Sequence, residues 1–140
     1  MSKKVLIEKI KFMGKINHGF KDLLAYKRAF ELACKIFDIT LNFPNEEKYS
    51  LTDQIRRSSR SVCANLSEAY RKRDYLKHYL LKLTDCHGEN SETLVWLDFA
   101  VHCKYITAEK YNQLIELNDE VSRLLTYMMN NPDKFGVSSS

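Results

Sequence analysis

The sequence predicts an all-α fold, an antiparallel up-down-up-down four-helix bundle. Three observations carry that prediction. Four long segments repeat their apolar residues every three or four positions, which is the helical period. The connections between them are short, so consecutive helices lie side by side and antiparallel. Only 4 glycines and 2 prolines interrupt 140 residues, which leaves long helices unbroken. A chain of this length fits one domain that buries its own core.

The first helix is expected from about Asp22 to Phe43, ending before Pro44. Its apolar positions are Leu23, Tyr26, Phe30, Ala33, Phe37 and Leu41. After the loop "NFPNEEKYS", Ser50 with Asp53 resembles a capping box opening the second helix, which runs to about Arg73. The inner face of that helix is Leu51, Ile55, Val62, Leu66 and Ala69. The third helix, roughly Asp74 to Cys103, carries a heptad seam of Leu76, Leu80, Leu83, His87, Asn90, Leu94, Leu97 and Val101. The phase continues across Gly88, so one helix is expected there despite a cost of about 1 kcal/mol relative to alanine. His87 and Asn90 make the middle of the seam a polar layer that fixes register. Thr107 is the expected N-cap of the fourth helix, which uses Tyr111, Leu114, Val121, Leu125 and Met128 and ends before Pro132.

Residues 1–20 form an N-terminal extension, a short helix or a partly disordered arm, with Leu6, Ile10 and Met13 at helical spacing. Residues 21–131 form the bundle, and residues 132–140 are expected as a flexible tail. Glu8, Lys9 and Lys11 break the apolar run that a secretory signal needs. No segment approaches the ~20 apolar residues of a membrane span. The four cysteines, 34, 63, 86 and 103, are scattered without a CxxC pair. They read as reduced packing residues of a cytoplasmic protein that does not engage a membrane.

Charge is segregated along the chain. Residues 1–21 carry +5, residues 22–54 carry −2, residues 55–82 carry +6 and residues 83–140 carry −5, for a net +4. Such a two-signed molecule has a basic surface fit to meet an anion, although pairing between basic and acidic helices is equally open. On a helical wheel of the second helix, Arg57, Arg60, Ala64, Ser67 and Arg71 fall opposite the core face. Ser61, Asn65 and Glu68 occupy one flank. The small residues leave room for close approach, which implies a second packing surface beyond the intrachain core. The candidate nucleic-acid contacts are Arg56, Arg57, Arg60, Arg71, Lys72, Arg73 and Lys77, because guanidinium and ammonium groups suit phosphate. No aromatic residues interleave with them as a stacking platform, so backbone contact is the expected mode; salt bridges to the acidic half are the competing use.

Catalytic chemistry finds no constellation. Di-iron bundles need Glu-x-x-His pairs, and Glu89-x-x-Glu92 lacks the histidine. Cys86–His87 and His102–Cys103 are sequence neighbours that point about 100° apart on a helix. No metal or cofactor is expected, and there is no glycine-rich phosphate loop. Trp96, with Tyr79 and Phe99, reads as packing or interface bulk.

The stretches "FKDLLAYKRA", "FPNEEKYSLTDQIRRSSRSVCANLSE" and the run Glu89, Glu92, Thr93, Trp96 and Leu97 resemble a known family: four-helix bundle proteins first associated with intervening sequences in large-subunit rRNA genes. The resemblance covers about residues 20 to 130. It implies a ribosomal protein-like, RNA-associated label and a subunit assembled as a homopentameric ring. A related branch, the accessory protein of diversity-generating retroelements, works with a reverse transcriptase. Cys63 and Ala69 depart from the proline and glycine common at those positions in the family. Under this resemblance Ser61, Asn65, Glu68, Glu89, Glu92 and Trp96 form a candidate subunit interface or polar network. The expected function is a non-enzymatic oligomeric scaffold for RNA or an RNA–protein complex; the alternative is an adaptor for a reverse transcriptase.

Overall fold

The computed structural model describes residues 2–8 and 19–138. Its four long helices are α1 (Leu24–Thr40), α2 (Leu51–Arg71), α3 (Leu76–His102) and α4 (Ala108–Asn130). Single 3₁₀ turns cover Gly19–Asp22, Asn45–Glu47 and Pro132–Phe135. No strand occurs among the described residues, and no described helix is long and apolar enough to cross a membrane. Helix α1 packs on α2 and α4, and α3 packs on the same two, with the α2–α3 contact the most extensive. The start of α1 shares one core cluster with the end of α2, the start of α3 and the end of α4. Neighbouring helices therefore run antiparallel.

Two apolar clusters fill the bundle. One holds Ala25, Ala29, Val62, Leu66, Leu83, Cys86, Val121 and Leu125; the other holds Leu32, Ile36, Leu51, Ile55, Leu97, Leu114 and Leu117. Each large side chain so buried contributes about 1.5–3 kcal/mol. Between the clusters lies a buried polar layer of Ser58, Ser59, Asn90, Thr93 and Asn118. Every member is satisfied. Thr93 Oγ1 donates to Ser58 Oγ at 2.8 Å across α2 and α3. Asn90 Nδ2 donates to the Asn118 carbonyl at 2.9 Å, and Asn118 Nδ2 returns bonds to the Asn90 carbonyl and Oδ1 at 2.9 and 3.0 Å. The sequence placed Asn90 in such a layer. His87, placed there with it, sits half-buried at the edge, its Nε2 3.4 Å from Thr126 Oγ1.

Several local expectations are met and several are corrected. Helix α3 is continuous through Gly88, and Thr107 caps α4 by accepting from the Lys110 amide at 3.1 Å. Ser50 makes no cap bond; its hydroxyl donates instead to Glu47. Helix α1 turns a different face inward from the one its spacing indicated. Ala25, Ala29, Leu32, Ala33 and Ile36 are buried, while Phe30 is 52% and Leu41 63% exposed. The helix carries two apolar stripes. Its alanines let the backbones approach closely, whereas the aromatic stripe is too bulky for that gap. On α3 the buried seam is Tyr79, Leu83, Cys86, Asn90, Thr93, Leu97 and Ala100. Leu76, Leu80, His87, Leu94 and Val101 are only half-buried because α3 rolls toward α2, with which it makes its most extensive contact.

The chain end is docked through residue 138 rather than free from residue 132. Gly136, at φ +73°, ends the last 3₁₀ turn, and a Cβ there meets Arg73 Nη1 at 3.0 Å. Val137 then enters the core, and the Ser138 amide bonds the Arg73 carbonyl at 2.9 Å. Of the N-terminal extension, residues 3–8 are helical and exposed; Ile10 and Met13 lie outside the described residues. The α3–α4 corner is a Schellman turn: the Tyr105 amide bonds Ala100 O at 2.9 Å, the Lys104 amide bonds Val101 O at 3.1 Å, and Lys104 takes φ +63°.

Candidate nucleic-acid interface

Helix α2 is buried on one face, flanked by α1 and α3, and open on its outer edge. Toward α3, the flank of small and polar residues reaches across the helix pair. Asn65 Oδ1 accepts from Lys82 Nζ at 3.3 Å, and Glu68 pairs with the same ammonium at 2.6 Å. Ser61 turns back to its own helix, donating to Arg57 O. One to two turns along, the Arg57 guanidinium lies 2.6 Å from Glu92 and 3.3 Å from Glu89. Trp96 Nε1 donates to the other Glu92 oxygen at 3.3 Å. The Arg57 guanidinium holds the Glu92 carboxyl below the usual carboxylate range. Glu89 Oε2 is buried without a hydrogen-bond donor, so the nearby Arg57 charge is its main compensation. The candidate polar-network residues therefore form two separate clamps between α2 and α3, one on Arg57 and one on Lys82.

These clamps sort the candidate cations. Arg57 is neutralised by two carboxylates of its own chain. Arg73 lies over the Tyr70 ring at 3.6 Å and donates to the Tyr70 and Phe135 carbonyls, which ties the α2–α3 turn to the chain end. Arg56 donates to Thr40 Oγ1 at 2.8 Å and stacks on Phe37 at 4.8 Å. Arg60, Arg71, Lys72 and Lys77 have no ion-pair partner among the described residues; Arg60, Arg71 and Lys77 are exposed and Lys72 is half-buried. Arg60 to Arg71 spans about 16 Å of the outer edge at 1.5 Å per residue.

Aromatic residues lie beside this edge after all, and only the fold brings them there. Phe37 of α1 underlies Arg56 and, at 5.9 Å, Arg60. Phe20, from the segment before α1, and Tyr75, after α2, join Ser67, Glu68, Arg71 and Lys72 around an open cavity of about 370 Å³. The sequence signal was the run "RKRDY", in which Tyr75 directly follows the basic cluster. Two apolar features flank the other half of α2. On the α1 side, Phe30, Phe37 and Leu41 form an uncovered stripe. On the α3 side, Leu51, Trp96, Phe99 and Cys103 line a cleft of about 240 Å³.

No group of three or more metal-ligating side chains occurs among the described residues. Burial pushes the Cys63 thiol up to about 11 and the Cys86 thiol up to about 12, which suits packing rather than nucleophilic work.

The same architecture recurs in a crystal structure of a protein of unknown function from the S23 ribosomal protein family of Bacteroides thetaiotaomicron. That chain is 29% identical and superposes with a TM-score of 0.70, over 79% of this chain and 98% of its own. No curated protein matches. The family model described as 23S rRNA-intervening sequence protein matches residues 21–127, nearly the whole bundle, and the chain belongs to that family.

Proposed function

We propose that this protein is a non-enzymatic, self-associating scaffold of the cytoplasm that binds RNA through the outer edge of α2. The observation that carries this reading is the set of cations without an ion-pair partner among the described residues, Arg60 and Arg71 on α2, Lys72 at its C-terminus and Lys77 in the first turn of α3, beside Arg57 and Glu68, which are matched within the chain. Charges already neutralised by carboxylates release no counterions from a polyanion, whereas free ones do. The family and its S23 ribosomal relative support the same partner class.

Self-association rests on the uncovered α1 stripe and the cleft beside Trp96. These are different surfaces of one subunit. A contact that seats one in the other is heterologous, and heterologous contacts form rings where the rotation closes; a homopentamer is the ring proposed. Cys86 is committed to the core, and Glu89 and Glu92 to Arg57.

The test is equilibrium binding to rRNA fragments as a function of salt. Replacing Arg60, Arg71, Lys72 and Lys77 by glutamine lowers the slope of log K against log salt by about 3.6 for a duplex, at roughly 0.9 per cation. Replacing Arg57 leaves the slope unchanged. An unchanged slope in the fourfold variant, or recovery of a protein partner and no RNA from cells, overturns the reading in favour of an adaptor.

A further inference from the structure

The turn between α2 and α3 is built to hold its polar residues outward. Its backbone closes through the Lys72 amide on Ala69 O at 3.0 Å and the Tyr75 amide on Lys72 O at 2.9 Å. Arg73 anchors it from beneath through Tyr70 and Phe135. Around that anchor Arg71, Asp74 and Tyr75 face solvent and Lys72 is half-buried. Tyr75 is 62% exposed, and its ring meets that of His78 in a T-shaped contact at 6.0 Å and 87°. Arg71 and Lys72 rim the same cavity without an ion-pair partner among the described residues, and the nearby Glu68 is held by Lys82.

A large aromatic face left open beside two unpaired cations is unfavourable surface for a free protein but matched to a nucleotide. The ring offers a stacking plane, and the cations meet phosphate. Paired bases in an RNA helix keep their faces stacked on one another, so only an unpaired base can use such a plane. The cavity, about 370 Å³ and open, suits one small ligand. We propose that it takes a single unpaired nucleotide of RNA, the base against Tyr75 with Phe20 on the far wall, the flanking phosphates at Arg71 and Lys72. This site rests on the RNA-binding reading and adds to it a preference for bulges and loops over continuous duplex.

Fluorescence anisotropy with two labelled RNA hairpins tests it, one fully paired and one carrying a single unpaired adenosine. The wild-type protein binds the bulged hairpin about tenfold more tightly, the scale of one base stacked on an aromatic ring. Tyr75→Ala removes that preference and leaves the paired hairpin unaffected; Tyr75→Phe retains it. Arg71→Gln with Lys72→Gln weakens both hairpins and lowers the salt slope by about 2. Tyr75 is exposed, so a melting curve matching the wild type accompanies each variant. Equal affinity of the wild-type protein for both hairpins, or a tenfold preference that survives Tyr75→Ala, overturns the nucleotide site while RNA binding stands. Absence of binding to either hairpin overturns both.

Discussion

The paired asparagines at the waist of the bundle make a sharp energetic prediction. Asn90 is 2% and Asn118 4% exposed, so neither has water to fall back on. In Asn118→Leu the Asn90 amide nitrogen keeps its bond to the backbone carbonyl of residue 118, but Asn90 Oδ1 loses its one donor among the described residues. A buried acceptor left unmet costs about 1–3 kcal/mol. In a domain of this size each kcal/mol moves Tm by roughly 4 °C, so Tm falls by roughly 4–12 °C. The double variant Asn90→Leu, Asn118→Leu removes the orphan as well as its partner. Two side chains of similar volume then meet in an apolar environment, and stability returns to within about 1 kcal/mol of the wild type. The assay is a double-mutant cycle in urea, followed by far-ultraviolet circular dichroism at fixed protein concentration. Additive losses in the two singles and the double, or a single-variant cost under about 0.5 kcal/mol, refute the claim that these residues act as one buried unit.

Three further outcomes follow from individual sites. Lys104→Gly relieves a left-handed backbone at the α3–α4 corner and stabilises the protein by about 1 kcal/mol in the same denaturation assay. With a thiol reagent at pH 8, the exposed Cys34 and Cys103 react fast, the half-buried Cys63 reacts slowly, and the buried Cys86 reacts only after unfolding. Burial lowers the His87 pKa below its ordinary 6.5, so the unfolded chain binds that proton more readily. Stability from this group is present above pH 6.5 and is lost as pH falls below it; His87→Gln flattens that acid-side slope in melts run from pH 7.5 to 5.

The salt-bridge pattern also bears on how a strongly basic helix should be read. Of the seven candidate cations, Arg57 is consumed by Glu89 and Glu92, Arg73 by the chain end, and Arg56 by Thr40 and Phe37. Exposed ion pairs of this kind add little stability, roughly 0–1 kcal/mol, but they remove the cation from the set available to a partner. Arg28 and Glu120 do the same for α1 and α4 at 2.9 Å.

The amino-acid sequence by itself determined the helices, their order and the core face of α2, because period and helix stops are local properties. It also located the polar waist at Asn90, but it read the flank of α2 that meets α3 as a packing surface beyond the chain's own core, whereas Asn65 and Glu68 hold Lys82 of the same chain. It could not choose between the two apolar stripes of α1, since alanine and phenylalanine both keep the period. Only the gap between packed helices selects the small residues for the inside. Nor could it tell Arg57 from Arg60, one turn apart on the same edge. Which of them meets a carboxylate depends on residues 32 to 35 positions away in the chain, brought close by the packing of α3 on α2. The cavity at Tyr75 has the same origin: Phe20 and Arg71 become neighbours only when the bundle closes, because long-range contact, unlike helical period, is not written in any short window of sequence.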